Sequence, residues 1–513
     1  MMSLTKRPLR APHAGIALAA LLGALCVSVG ASRDASAQRT AKAKSRQAAA
    51  PPSPGGVAPS YGVPLADAVE TLHKAVRHYG GQLGISVVDL KSDRVVAARD
   101  VELALNPASN AKLLTAWAAL KALGAQHRYF TGLYGKIRDD RVDTLVLRGD
   151  GDPQLEHQHL YEMAAQLRLA GVRMIGDVVV DQSRFDERQD PPAYDQQPHE
   201  WASFRAPIAA VSVDGNTVHV TVFPAAAGQV ARSRATPPSA VDLVGSVGTT
   251  AANSAETVRL DVFPLREGRL RASISGTVAA SSPPVTVWRR IGDPTWLAGH
   301  ALSDICRELD ITVHGKVRRG HPMPQDLLAS HRSRPLGEIV QALGKDSDNF
   351  KAEMIFKGLA PATAPASFEA ARARLFELLT EARIDATGVK MTNGSGLFDA
   401  DRMSAAFITS LLTAASRDPA IAPEFISQLA IGGVDGTLRN RFGELSKTRS
   451  IRAKSGTLRA VSTLSGFVMG TDGAPRVAFS ILVNDVVDAS TELRQEIDAV
   501  VSAAASVAAF PPP

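Results

Sequence analysis

Apolar positions recur with two different periods along the chain, and the changes of period divide it. Leu65, Val69, Leu72 and Val76 stand at helical spacing and predict a helix that Gly80-Gly81 stops. Residues 83–90 and 94–100 read as two strands joined by the turn Lys91-Ser92-Asp93. The run Leu113-Leu114-Thr115-Ala116-Trp117-Ala118-Ala119-Leu120 predicts a helix ended by Gly124. It follows directly on Asn106-Pro107-Ala108-Ser109-Asn110-Ala111-Lys112, which reads as a loop entering that helix, with Asn106 as cap and Pro107 in the first turn.

From about residue 131 to 324 the texture is one of short alternating strands: 144–148, 177–181, 217–223, 258–262 and 269–274, with one helix at 298–309. From residue 334 helices return, at 336–344, 348–358, 365–382 and 403–415. Strands at 450–453, 460–469 and 476–484 follow, and a final helix starts near Ser490. That helix is amphipathic and then Ala/Val-rich, too short an apolar stretch to span a bilayer. Helices flanking a sheet whose strands come from both ends of the chain predict an α/β domain in two parts, residues 61–130 and 326–513. The mostly β tract 131–325 is inserted between them as one or two domains. No internal repeat is evident.

The N-terminus changes the picture of charge. Lys6, Arg7 and Arg10, then an apolar stretch over 14–31, then Ala35-Ser36-Ala37 read as a secretory signal peptide over 1–37, which predicts export to the periplasm or cell envelope. Residues 38–60, rich in Ala, Lys, Pro and Gly, read as a flexible linker. Residues 1–60 hold eight basic side chains against one acid, so they account for +7 of a formal net charge of +6, and the remainder nets −1. The basic balance therefore belongs to leader and linker, which argues against a nucleic-acid-binding face. The four linker cations are read as a solvated tail, with loose contact to an anionic membrane or wall polymer as the alternative. Of the two cysteines, Cys26 falls in the leader and Cys306 in a helical pattern, where it reads as buried filler without a disulfide partner.

Candidate chemistry starts at Ser109. Lys112 lies three residues on, so on a helix the hydroxyl and amine share a face. The helix end disfavours a further positive charge and, with burial and the nearby Lys454, is expected to push the Lys112 pKa down. A serine with an amine base is a known form of nucleophilic catalysis. Ser-x-x-Lys also occurs without meaning, as in Ser3-Leu4-Thr5-Lys6 of the leader. Two further stretches strengthen it. Ser347-Asp348-Asn349 enters a helix, which any N-cap could explain, and Lys454-Ser455-Gly456-Thr457 ends a strand, which an edge lysine and turn glycine could explain. In the order Ser-x-x-Lys, Ser-x-Asn, Lys-Ser-Gly they match the signature of penicillin-recognising serine enzymes.

The chain resembles the class C, type-4 penicillin-binding proteins, D-alanyl-D-alanine carboxypeptidases and endopeptidases. The likeness runs from about Val63 to near the end. It rests on the three stretches, on Gly149-Asp150-Gly151-Asp152-Pro153, Asn393-Gly394-Ser395-Gly396-Leu397 and Val434-Asp435-Gly436-Thr437-Leu438, and on the 238 residues between Ser109 and Ser347, an interval much longer than in related β-lactamases. Ser455 stands where Thr is usual. Asn393 and Phe398-Asp399-Ala400-Asp401 depart from the commoner pattern, which bears on substrate preference.

The resemblance implies a β-lactamase/transpeptidase-like α/β fold, an antiparallel sheet flanked by helices and interrupted by the insertion. It implies Ser109 as nucleophile, Lys112 as its base, Ser347 as proton relay from Lys112 or Lys454, and Asn349 as the group orienting Lys112 and the substrate amide. Lys454, Ser455, Gly456 and Thr457 would bind substrate, with the N–H groups of Ser109 and Thr457 as oxyanion hole. It implies peptidoglycan peptides and β-lactams as partners, no metal and no organic cofactor, and it leaves homodimerisation open. A β-lactamase and a non-catalytic wall-binding protein are the alternatives. Gly394-Ser395-Gly396 reads as a turn near the cleft, His157 and His159 as surface histidines, and Glu353 as a structural ion-pair partner.

Overall fold

The computed structural model describes residues 64–323, 326–448, 450–487 and 490–509. The expected leader (1–37), the linker (38–60) and Cys26 lie outside them.

A six-stranded antiparallel sheet draws on both ends of the chain, in the order Ala430–Ile431, Ile451–Leu458, Val461–Met469, Pro475–Asn484, Gln82–Asp89, Arg94–Arg99. Its side-chain alternation sets the two faces. Leu464, Val468, Val477, Phe479, Ile481 and Val483 pack toward the helices Leu65–His78 and Ser490–Ala509. Phe467, Ala478 and Leu482 face the opposite way, into a core shared with the helices Ala111–Leu123, Leu336–Lys345, Asn349–Gly358 and Ala405–Arg417. Ala111 to Leu120 are all buried, so that helix runs through the middle of this core, as its apolar character on every side requires. The predicted α/β arrangement, an antiparallel sheet flanked by helices, is therefore present.

Residues 133–329 hold two further cores. One surrounds a seven-stranded sheet in which Arg141–Gly149 and Met174–Asp181 pair in parallel. A parallel pair needs a crossover, and the helix His157–Leu169 supplies it. This helix is absent from the sequence reading, although Leu160, Met163, Ala164 and Leu167 carry its spacing. The helix Pro294–Glu308 packs on the same core and buries Cys306, as expected for filler. Burial pushes its thiol up to about 12. The other core lies among eight short strands between Thr217 and Arg290. Among the described residues no helix is long and apolar enough to cross a membrane.

Candidate active site

Ser109 does not sit in the first turn of the α-helix. Ala108–Asn110 form a separate 3-10 turn, and the α-helix starts at Ala111. Asn106 serves that turn rather than the helix: its Oδ1 accepts the Ala108 N–H at 2.9 Å. Ala108 has φ +46°, a left-handed conformation that costs an L-residue energy and persists only where its surroundings impose it. They do so here. Asn106 N–H donates to Asn484 Oδ1 (2.8 Å), Asn484 Nδ2 returns a bond to Asn106 O (3.1 Å), and Asn110 Nδ2 donates to Ser465 Oγ (2.8 Å). The turn is thus bolted to the sheet, and Ser109 remains partly open to solvent.

Lys112 is fully buried. Its Nζ donates to Ser109 Oγ (2.9 Å), Asn349 Oδ1 (2.7 Å) and the Ser395 carbonyl (2.8 Å). Three neutral acceptors solvate the amine without neutralising a charge on it. Burial draws its pKa down to about 7, against the pull of the Glu353, Asp348 and Asp401 carboxylates. Of the expected causes, desolvation leads.

The second stretch turns sharply. Ser347 has φ +59°, Asp348 caps the next helix by accepting Lys351 N–H (3.0 Å), and Asn349 opens that helix facing Lys112. The third stretch lies inside the strand Ile451–Leu458, whose pairing with Val461–Met469 sets Lys454 opposite Ser465 and Gly456 opposite Thr463. Lys454 is fully buried and donates to Ser347 Oγ (2.9 Å) and the Ser455 carbonyl (2.8 Å). Burial, and then Lys112, hold its pKa well below the ordinary lysine value. Ser347 is thus bonded to Lys454, which narrows the alternative that the sequence leaves open. Ser455 Oγ donates to Thr437 Oγ1 (2.7 Å), and Thr457 is exposed at the mouth. A Cβ on Gly456 would stand 2.3 Å from Thr463 Oγ1 and 3.0 Å from both Ala108 Cβ and Pro107 O. Only glycine lets this strand lie so close to the serine turn.

Four groups that the sequence reading leaves without a role in the site complete it. Glu353 is no ion-pair partner: buried, it accepts the N–H groups of Gly394 and Ser395, both at 2.9 Å. This clamp aims the Ser395 carbonyl at Lys112. Gly396, at φ +72°, passes so close to Ala108 O that a Cβ would lie 1.9 Å away. The insertion reaches in through residues 190–205. Pro192 O accepts from Asn393 Nδ2 (3.0 Å), Phe204 O from Asn349 Nδ2 (3.4 Å), and Tyr194 OH lies 3.5 Å from Ser395 Oγ. Arg205, buried, ties this loop together by donating to the carbonyls of Tyr194, Gln197 and Glu200. His157 and His159 stand in the first turn of their helix, half-buried rather than on the surface, and His159 stacks on His331 at 4.0 Å.

The site thus holds a partly open serine hydroxyl bonded to one buried amine, and a second buried amine bonded to Ser347. The model of the "D-Ala-D-Ala carboxypeptidase 3 (S13) family" matches residues 65–507. The chain belongs to that family. It is accordingly a serine-type D-Ala-D-Ala carboxypeptidase of the penicillin-binding class, as the sequence resemblance implies. A "D-alanyl-D-alanine carboxypeptidase" of Actinomadura sp. is 34% identical over 437 residues, covering 79% of this chain and 78% of that protein. "D-alanyl-D-alanine carboxypeptidase DacB" of Haemophilus influenzae is 27% identical over 415 residues, covering 79% and 86%. The crystal structure of penicillin binding protein 4 from Haemophilus influenzae superposes with a TM-score of 0.72 at 25% identity, over 87% of this chain and all of that one.

Proposed function

We propose that Ser109 is the nucleophile of this carboxypeptidase and Lys112 its general base. Ser109 Oγ attacks the carbonyl of a terminal D-Ala-D-Ala peptide bond while its proton passes to neutral Lys112 Nζ. The C–N bond then breaks. The departing D-alanine amine takes a proton through Ser347, which Lys454 resupplies; the proton that Lys112 took from Ser109 passes on to restore Lys454, leaving Lys112 neutral. Water hydrolyses the acyl-serine and regenerates the hydroxyl. Asn349 holds Lys112 and hydrogen-bonds the substrate amide. The N–H groups of Ser109 and Thr457 stabilise the oxyanion, a term for which one donor is typically worth about 3–4 kcal/mol. Lys454, Ser455 and Thr457 receive the terminal carboxylate, whose arrival favours the ammonium form of Lys454. Gly456 grants the approach.

The observation that carries this reading is the 2.9 Å contact between Ser109 Oγ and the fully buried Lys112 Nζ: in the neutral amine the two N–H groups go to Asn349 Oδ1 and the Ser395 carbonyl, and the lone pair is left to accept from the Ser109 hydroxyl. A free lysine amine titrates near ~10.4 and is a poor base at neutral pH, whereas one near 7 is matched to the task. The same serine is the site of penicillin acylation; the Haemophilus influenzae neighbour was also crystallised in complex with a β-lactam.

The finer reading also includes a cleaved leader over 1–37 and a location in the periplasm or envelope. It divides the chain into 61–130 and 326–513 as one catalytic unit around the insertion 131–325; the separate cores support such a division, except that the strand Asp326–Arg332 packs with the inserted region. Loose wall or membrane contact of the linker, and pairing of two copies, belong to this reading too. Release of D-alanine from a D-Ala-D-Ala-terminated peptide, followed beside hydrolysis of benzylpenicillin, tests it. Peptide turnover with slow loss of the penicilloyl group is expected. Fast penicillin turnover without peptide cleavage would overturn it in favour of a β-lactamase.

A further inference from the structure

A cavity of about 560 Å³ lies at the seam between the seven-stranded sheet and the loop after the helix Asn349–Gly358. Its walls include the rings of Phe130 and Tyr134, the cations Arg148 and Arg184, His321, and the exposed Ala364. None of these residues takes part in the chemistry proposed for Ser109. The helix that carries Asn349 into that site ends before this cavity. At a rise of about 1.5 Å per residue its ten residues separate the two places by roughly 15 Å.

The two arginines differ in how far they are satisfied. Arg148 bonds Asp181 through Nε (2.6 Å) and lies 5.5 Å from the Tyr134 ring centre. His321 shares the same Asp181 oxygen (2.9 Å). Asp150 lines the cavity too, with its Oδ1 taken by Phe130 N–H (2.8 Å). Arg184 makes no ion pair at contact distance among the described residues; the Asp150 carboxylate acts on it only through its charge. Its Nη2 donates to Ala360 O (2.9 Å), while Nη1 is buried and has no acceptor there. A buried guanidinium donor without an acceptor is costly, and is rare unless something else supplies the oxygen. The fork geometry of a guanidinium suits a planar carboxylate, and flanking aromatic rings suit an apolar or sugar face.

We propose that this cavity is a second substrate-binding site, which takes a carboxylate-bearing saccharide–peptide portion of the wall polymer at Arg184 while the scissile peptide lies at Ser109. The proposal rests on the reading that peptidoglycan peptides are the substrate. It makes the insertion a device that selects polymeric over small substrates. The reach from one site to the other suits a polymer and exceeds a dipeptide.

The test starts with the full mature protein acylated by benzylpenicillin, so that the Ser109 site is filled. A disaccharide tetrapeptide from peptidoglycan is then titrated in by calorimetry. Saturable binding is expected, at least about tenfold weaker in Arg184→Gln. It is also expected to be abolished in Ala364→Trp, which closes the mouth from an exposed position and leaves the fold and the acylation rate unchanged. No saturable binding, or equal binding by both variants, would overturn the proposal. So would equal affinity for N,N′-diacetylchitobiose, which lacks a carboxylate. Binding of glycerol phosphate in place of the muropeptide would overturn it as well, and assign the cavity to a phosphate. The initial acylation step reports on Ser109 separately: its failure would fall on the proposed mechanism, not on this cavity.

Discussion

Glu353 holds Ser395 by its backbone, with Oε1 accepting the Ser395 N–H at 2.9 Å. That bond turns the Ser395 carbonyl to Lys112 Nζ at 2.8 Å, so a buried carboxylate acts on the base at one remove. It also acts through its charge, which favours the ammonium form of Lys112. Asn349 contacts the same amine as a neutral acceptor at 2.7 Å.

These two neighbours should move the base in opposite directions. Glu353→Gln removes a negative charge, lowers the Lys112 pKa and shifts the acid limb of β-lactam acylation to lower pH. It also leaves one of two N–H groups without its acceptor, at a cost of about 1–3 kcal/mol, so the plateau rate falls roughly 5- to 100-fold. Asn349→Asp adds a charge and shifts the limb upward. Stopped-flow acylation rates against pH read both; unmoved limbs would mean that neither group acts through Lys112.

In the native protein the acylation rate should rise through about pH 7 and level off above it, since only the neutral amine accepts the proton. Stability carries the same signature. The folded amine titrates near 7 and the unfolded one near ~10.4, so between those values the unfolded chain binds more protons and stability rises with pH. Lys112→Met lacks that slope. Urea unfolding of the two proteins at pH 7 and pH 10 should show the native chain gaining on the variant by a few kcal/mol, about 1.4 for each pH unit at most. Parallel curves would contradict a neutral buried lysine.

Gly456→Ala should abolish acylation while the protein stays folded. The added methyl meets Thr463 Oγ1 at 2.3 Å and the serine turn at 3.0 Å, so the strand must back away from Ser109. Loss of a properly placed oxyanion donor corresponds to about 100- to 1,000-fold in rate. A variant that acylates within threefold of the native rate would remove Gly456 from the account.

The loop 190–205 is tested through Arg205, which joins the Tyr194, Gln197 and Glu200 carbonyls. Arg205→Ala should free the loop from Asn349 and Asn393, lower the acylation rate about tenfold or more and increase proteolysis between 190 and 205. Unchanged rate and unchanged cleavage would show that the insertion does not shape the site.

How much of this is legible in the chain follows from how far each contact reaches. Ser109 and Lys112 are three residues apart, so their meeting is legible locally, although it comes about through a 3-10 turn before the helix and not within it. Ser347 and Lys454 are read through the order of short motifs, the first just before a helix and the second within a strand. Glu353 meets Ser395 across 42 residues, and Asn393 meets Pro192 across 201; nothing local marks such pairs. The depressed pKa of Lys112 is expected from the helix end, burial and the nearby Lys454 together; that burial leads is a tertiary matter the local sequence does not weigh. The serine turn is misjudged because Asn106-Pro107 has a helix-start composition, whereas the sheet holds Ala108 left-handed. The helix His157–Leu169 is different: its spacing is present, and the surrounding strand texture hides it.

The central claim is that Ser109 carries the acyl group. Intact-mass analysis of the mature protein and of Ser109→Ala, each incubated with benzylpenicillin, tests it most directly. One long-lived penicilloyl group on the native chain and none on the variant is the predicted result. An unlabelled native chain, or equal labelling of Ser109→Ala, would contradict it.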